Sequence, residues 1–396
     1  MAMECISLHL YIARIFIFSH YLLMRSFCLL LIALCCSAAA FTQEFYLFIG
    51  PYTNNGGKGI YVYRFNAGTG SLMPVSIATG VDHPSYMALS ADGRYLYSVN
   101  QFRGEKPAGV SAFTFDKATG ELHLVNKQPA TDGPCYISVD STGKWAVVAS
   151  YTAGTMAAYP IQADGSLGAA TQTIVHTGSS VDKERQDRAH VHSVVFSPGY
   201  RFLFAPDLGM DQVTIYRFNP AAAQPLTAAS PAFAATLPGT GPRHIIFHPA
   251  LPYAYLVEEM GGAVSVFGYK NGQLQPLQHI SSHVADFAGK KSSADIHLSP
   301  DGRFLYVSNR GDANTIAIFA VNAKNGKLEL KGIESTLGVH PRNFMIDPTG
   351  NYLLVANMES NNVVVFKRDG VTGALKATGV QVHIPNPACL KMLEIK

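Results

Sequence analysis

A turn followed by an apolar, aromatic strand recurs six times along this chain, and few folds can accommodate that. The copies read Ser90-Ala-Asp-Gly-Arg-Tyr-Leu-Tyr97, Asp140-Ser-Thr-Gly-Lys-Trp-Ala-Val147 and Ser197-Pro-Gly-Tyr-Arg-Phe-Leu-Phe204, then His248-Pro-Ala-Leu-Pro-Tyr-Ala-Tyr255, Ser299-Pro-Asp-Gly-Arg-Phe-Leu-Tyr306 and Asp347-Pro-Thr-Gly-Asn-Tyr-Leu-Leu354. Their starts lie 50, 57, 51, 51 and 48 residues apart. A steady period of this length marks an array of one supersecondary unit.

Each copy has the same neighbours. A short strand precedes it, as in Asn343-Phe-Met-Ile346, and another follows, as in Thr315-Ile-Ala-Ile-Phe319. A glycine turn then leads to an outer strand such as Asn325-Gly-Lys-Leu-Glu-Leu330. Asp-Gly and Asn-Gly between β-branched and aromatic runs are tight-turn signals. Four antiparallel strands per repeat make a propeller blade. The N-terminal piece, Phe45–Ile49 with Gly59–Tyr63, lacks a first strand, and Pro387–Leu393 reads as a first strand with nothing after it. Joining the two predicts a seventh blade and a closed ring, which removes exposed sheet edges. The expected fold is all-β: a seven-bladed β-propeller over residues 41–396. The alternative, an open two-sheet sandwich, leaves the complementary half-blades unexplained.

Residues 1–40 read differently. Met24-Arg25 resembles a charged n-region, Phe27–Cys36 an apolar h-region, and Ser37-Ala-Ala-Ala40 a small-residue cleavage site. The expectation is a leader with its start at Met24 and an exported, periplasmic product; were the leader an artefact, the product would be cytoplasmic. A membrane anchor fits less well, because Arg14, His20 and Arg25 interrupt the apolar stretch. Cleavage leaves only Cys135 and Cys389, too few for a disulfide framework. Charged residues are 14% of the chain and the net charge is +3, with no basic block after the leader. That argues against a nucleic-acid partner.

The repeat turns into geometry once blades are assumed. Counting back five from each start gives Ser85, Cys135, His192, Arg243, Ala294 and Arg342 at one level of the channel, with Ala388 in the closing blade. Two arginines and a histidine in one small space repel unless an anion joins them. The ends of the following strands give Asn100, Ser150, Asp207, Glu258, Asn309 and Asn357; one residue further lie Gln101, Tyr151, Leu208, Glu259, Arg310 and Met358. Asp207, Glu258 or Glu259, and Arg310 are therefore expected at the same mouth, with His190 on the approach to His192. The asparagines read as turn residues bonded to backbone, Cys135 as a small buried filler, and Ser179–Arg188 as a loop overhanging the mouth. Residues 219–241 read as an outer-edge connection. Metal-ligand spacings, phosphate loops and nucleophile elbows are absent from the sequence.

Gly59-Ile-Tyr-Val-Tyr63, Arg185-Gln186 with His190-Val-His-Ser193, Asp207-Leu-Gly-Met-Asp211, Gly241-Pro-Arg-His244 with Glu259, and Asp301-Gly-Arg-Phe-Leu-Tyr-Val-Ser-Asn-Arg310 together resemble the lactonase seven-bladed propeller family. The similarity runs from Phe45 to Leu393. That family includes 6-phosphogluconolactonases and muconate-lactonising cycloisomerases. The resemblance implies a catalytic group of His192, Arg243 and Glu259, joined by Arg310, that opens a small-molecule lactone without metal or cofactor. Arg342, His190, Asp207 and Glu258 are the further binding candidates. Family members usually carry Asn-Glu where this chain has Glu258-Glu259. Two other readings remain: a cycloisomerase acting beside a carboxylate, and a non-enzymatic surface propeller, since Leu-Tyr-Val-Ser-Asn309 also resembles YVTN-type repeats.

Overall fold

The computed structural model describes residues 43–102 and 107–395, together with His20 and Met24. Apart from those two positions, the expected leader lies outside the described residues. Among the described residues, 28 strands form seven four-stranded antiparallel sheets, which are the blades of a propeller. We number the blades from the one holding the N-terminal strand. In blades 2 to 7 the chain enters at the axis and runs outward, strand by strand. The inner strands are Met87–Leu89, Pro134–Val139, Val195–Phe196, Pro242–Phe247, Ser293–Leu298 and Pro341–Ile346. Residues 219–241 contain more than a connection, since Leu226–Ala235 is the outermost strand of blade 4.

The first residue of each motif explains the repeat. Ser90, Ser197 and Ser299 accept, on their hydroxyls, the backbone N–H five residues on, at 3.0–3.1 Å. Asp140 and Asp347 do the same with a carboxylate oxygen, at 2.7 and 2.6 Å. These five turns are thereby clamped shut; in the sixth, His248 Nδ1 instead accepts from the backbone N–H groups of Ala250 and Leu251, at 3.1 and 3.0 Å.

That second strand is buried on both faces. Its apolar side chains fill the seams between neighbouring blades, so that the core is a ring of clusters. Tyrosines there bury a ring and still use the hydroxyl. Tyr97, Tyr255 and Tyr306 each donate to a glycine carbonyl in the outer hairpin of the next blade, at 3.1, 3.1 and 2.8 Å. Tyr46 donates likewise to Lys117 O at 2.9 Å. A polar tip satisfied at the far side of an apolar body ties two blades together.

Blade 1 closes the ring as expected from the two half-blades. Pro387–Glu394 supplies its inner strand and pairs antiparallel with Glu44–Pro51, with Tyr46 opposite Leu393 and Ile49 opposite Leu390. Leu390 is buried in the cluster between blades 7 and 1. Leu390→Ala should therefore cost about 2–5 kcal/mol, the range for buried leucine truncations, read from the denaturant midpoint. A loss no larger than the roughly 0.5 kcal/mol of a surface change would contradict closure by this strand.

Candidate active site

The inner strands of blades 1, 3, 5, 6 and 7 carry one extra residue at a common level. In blade 5, Pro242 pairs with Glu258 and His244 with Val257, which leaves Arg243 without an opposite number. Cys135, Arg342 and Ala388 are skipped in the same way in blades 3, 7 and 1. Such a bulge breaks the two-residue alternation and re-aims the extra side chain. Cys135, Arg243 and Arg342 are among the positions reached by counting back five from the motifs, and Ala388 is their match in the closing blade.

The ends of the second strands supply the other wall. Asn100, Ser150, Asn309 and Asn357 point to backbone, donating to Asp82 O, Thr131 O, Ser282 O and Thr336 O at 2.8–3.3 Å. In blades 2, 3, 5 and 6 the residue after the strand faces the mouth instead, whereas Leu208 in blade 4 is buried. Gln101, Tyr151, Glu259 and Arg310, with Cys135, Arg185, His192 and Arg342, line a cavity of about 290 Å³. A second recess of about 490 Å³ shares Gln101, Arg310 and Arg342 and adds Tyr52, His83 and His340.

One carboxylate organises the cavity. Glu259 Oε2 accepts from Arg243 Nε at 3.0 Å and Arg310 NH2 at 2.9 Å, and Oε1 accepts from Arg185 NH2 at 2.6 Å. Burial alone would raise the Glu259 carboxyl; the charges of Arg310 and Arg243 reverse this and hold it well below the ordinary carboxylate range. His192 Nε2 lies 3.8 Å from Glu259 Oε2. Burial, then the neighbouring Arg243, holds His192 well below the ordinary histidine value, so it is neutral at pH 7. Burial and Arg310 also push Arg243 down to about 10, which leaves it protonated. Arg342 lies over the Tyr52 ring at 5.3 Å. It makes no ion pair among the described residues, so its guanidinium is available to a ligand.

The loop over the mouth is built in, not draped. Asp211 accepts from Ser180 Oγ at 2.6 Å and from the backbone N–H groups of Gly239 and Gly241 at 2.6 and 2.9 Å. One side chain thus anchors both the loop bearing Arg185 and the entry to the strand bearing Arg243. Gly209 must stay bare, because a Cβ there would overlap the carbonyl oxygen of Arg188.

A family profile described as lactonase, 7-bladed beta-propeller matches residues 46–392. The chain belongs to this family. It is 37% identical over 352 residues to the 6-phosphogluconolactonase of Formosa agariphila, covering 87% of this chain and 99% of that one. It is 36% identical to the 6-phosphogluconolactonase of Bacillus subtilis, covering 87% and 97%. The solved periplasmic gluconolactonase of Pseudomonas aeruginosa superposes with a TM-score of 0.86 at 39% identity, covering 89% of this chain and all of that one.

The structure brings together His192, Glu259, Arg310 and Arg342 at this lactonase-family mouth, with Arg243 directly behind them and almost fully buried. Three candidates sit elsewhere. His190 stacks on Tyr151 at 4.4 Å and bonds Tyr151 O, one layer behind the wall. Asp207 accepts from His176 Nδ1 at 2.8 Å and from the backbone of His190 and Gly209. Glu258 accepts from Ser265 Oγ and His279 Nε2, both at 2.7 Å, so its charge does not enter the cavity. Both carboxylates end a second strand, where the side chain turns between blades; after Glu258 the next residue, Glu259, turns to the mouth, while after Asp207 Leu208 stays buried. Arg185 is the wall residue that the sequence reading left without a role. Its signal was the long 57-residue interval just ahead of His192. Among the described residues no cluster of His, Cys, Asp or Glu could hold a metal ion, and no helix is long and apolar enough to cross a membrane.

Buried neutral imidazoles make stability pH-dependent. His244 is lowered to about 4 by burial and by Arg243, and His192 is lowered as well. In the unfolded chain both titrate near 6.5. Below that pH the unfolded chain binds more protons, so stability falls as pH falls, by about 1.4 kcal/mol per unit for each such imidazole. The melting temperature should hold above pH 7 and decline steadily from pH 6.5 to 4.5. A flat profile over that window would contradict the buried neutral state.

Proposed function

We propose that this chain hydrolyses a sugar lactone, such as 6-phosphogluconolactone or gluconolactone, in the arginine-walled cavity. The observation that carries the reading is the charge balance: Arg185, Arg310 and Arg342 line a space of about 290 Å³, and Glu259, the only carboxylate among the described residues of its wall, is already held by three guanidinium groups. That volume lies at the low end of the range for small-molecule sites, about 300–1,000 Å³, and suits a single ring. The names of the Formosa and Bacillus relatives and of the Pseudomonas neighbour support the same substrate class.

The chemistry follows from where charge develops. Water attacks the lactone carbonyl carbon and passes a proton to His192 Nε2. The carbonyl oxygen becomes an oxyanion, which fixed cationic donors stabilise in a partly dried site. Arg342 suits that role, since no described carboxylate spends its donors. Collapse breaks the ring C–O bond, and the imidazolium returns the proton to the ring oxygen, giving the hydroxy acid. We assign His192 as the proton acceptor because both oxygens of Glu259 already accept from three guanidinium groups, whereas a general base needs a free lone pair within reach of the water. Glu259 instead sets the arginines and steadies the transient imidazolium 3.8 Å away. No step calls on a metal or a cofactor.

Initial rates on both lactones, corrected for spontaneous opening, test this reading. Arg342→Gln should lower kcat/KM by about a hundredfold, as for loss of one oxyanion donor, with little change in melting because no ion pair is lost. Arg342→Lys should recover little, since an ammonium cannot reproduce a planar fork. A parent protein that opens neither lactone, or an Arg342→Gln variant as fast as the parent, would sink the assignment.

The same reading takes residues 1–40 as a removable leader and the product as exported, in keeping with the periplasmic Pseudomonas neighbour. N-terminal sequencing of the protein made from the full gene should find a mature start near Phe41 outside the cytoplasm. A cytosolic product that keeps its leader would reject export and move the phosphorylated lactone to first place.

A further inference from the structure

Directly after each mouth residue of the inner strands comes a second ring, one step deeper: Tyr86, Tyr136, Ser193, His244, Asp295 and Asn343. Asp295 is buried yet carboxylate, and its partners are fixed. Oδ1 accepts from His244 Nδ1 at 2.8 Å; Oδ2 accepts from His297 Nε2 at 3.0 Å and from Asn343 Nδ2. An ionised carboxylate only accepts, so His244 must carry its proton on Nδ1. Its Nε2 then offers a lone pair, 3.2 Å from Arg243 NH1, which can only donate. Arg243 NH1 also donates to Ala294 O, and Nε holds Glu259. The rings of Tyr136 and His192 stand edge-on to His244, at 5.1 and 5.4 Å, and fix its tilt.

From this one-way chain of donors we propose that His244 and Asp295 are positioning residues for lactone opening: Asp295 selects the His244 tautomer, and His244 sets the plane of the Arg243 guanidinium that presents Glu259 to the cavity. The proposal rests on the reading of that cavity as the lactone site. The neutral state of His244, lowered to about 4, agrees with it.

A purely structural role is the rival account, because Asp295 also links blade 5 to blade 7 and Asn343 Oδ1 accepts from Leu390 N in blade 1. Asp295→Asn separates the two. It keeps the shape, but its amide can present N–H to His244 Nδ1 and force the proton onto Nε2, where two donors would then face each other. Initial rates on gluconolactone and its 6-phosphate should give a kcat about ten- to a hundredfold lower, the range for lost orienting partners, with KM within about twofold. In a cycle with Arg243→Lys the losses should not multiply: the double variant should be no slower than Arg243→Lys alone. His244→Gln, which offers Arg243 an amide oxygen, should recover turnover that His244→Leu loses, and this pair keeps the question open to measurement if Asp295→Asn does not fold. If Arg342→Gln is slow while the Asp295→Asn and Arg243→Lys losses multiply, or the two His244 variants are equally fast, the positioning role is wrong and the site stands. If Arg342→Gln and Arg243→Lys both match the parent, the cavity is not the site and the proposal falls with it.

Discussion

Seven inner strands share one axis, and whatever they turn inward must fit the same narrow channel. The pairing of Pro387–Glu394 with Glu44–Pro51 imposes that condition by closing the ring. Regular strands would send only alternate residues to the axis. The bulges at Cys135, Arg243, Arg342 and Ala388 relax this at one level, so that Arg243 and His244, adjacent in sequence, both engage partners in the channel. A cavity wall and the support beneath it are thus built from neighbouring residues of the same short strands.

Crowding charge at the axis is costly, and the arrangement of Glu259 meets that cost. Each buried guanidinium loses hydration, and a buried carboxylate loses more, unless hydrogen bonds satisfy both. Glu259 shares its two oxygens among Arg185, Arg243 and Arg310, while Arg310 also donates to Ser292 O and Ser293 O. The outcome is a fixed set of cations with a surplus over anions, aimed into a space that no described side chain fills. Such preorganised charge requires no rearrangement when an oxyanion forms.

Much of this was legible from the chain alone. The motif positions predicted the blades, because a Ser or Asp clamps five of the six turns in the same way and His248 closes the sixth through its ring nitrogen. The same regularity made the count to His192, Arg243 and Arg342 valid. The phase at the second-strand ends was not legible: two sets one residue apart both looked polar, and only the fold decides that Glu258 turns between blades and Glu259 to the mouth. The bulges left no mark either, since an extra residue in a short strand alters no residue type. Arg185 was hidden for a third reason. A charged loop reads as solvated until its far contact, Glu259, is known.

In a repeat protein the blades that depart from the common pattern carry the information. Asn100, Asn309 and Asn357 donate from their amides to loop carbonyls. Asp207 and Glu258 hold the same place in blades 4 and 5 and cannot donate. Each takes a histidine in exchange, His176 at 2.8 Å and His279 at 2.7 Å. Burial and a bonded carboxylate act oppositely on such an imidazole, and for His279 the bond to Glu258 prevails and raises it. Asp207 also uses one oxygen to gather the backbone N–H groups of His190 and Gly209, where Asn309 Oδ1 gathers the hydroxyls of Ser282 and Ser293. The loop that leads into His192 is therefore held by a carboxylate at the point where blades 2, 6 and 7 use an amide and blade 3 a serine hydroxyl. The two blades that carry a carboxylate there supply His192, Arg243 and Glu259, while Arg310 and Arg342 reach the same cavity from blades 6 and 7.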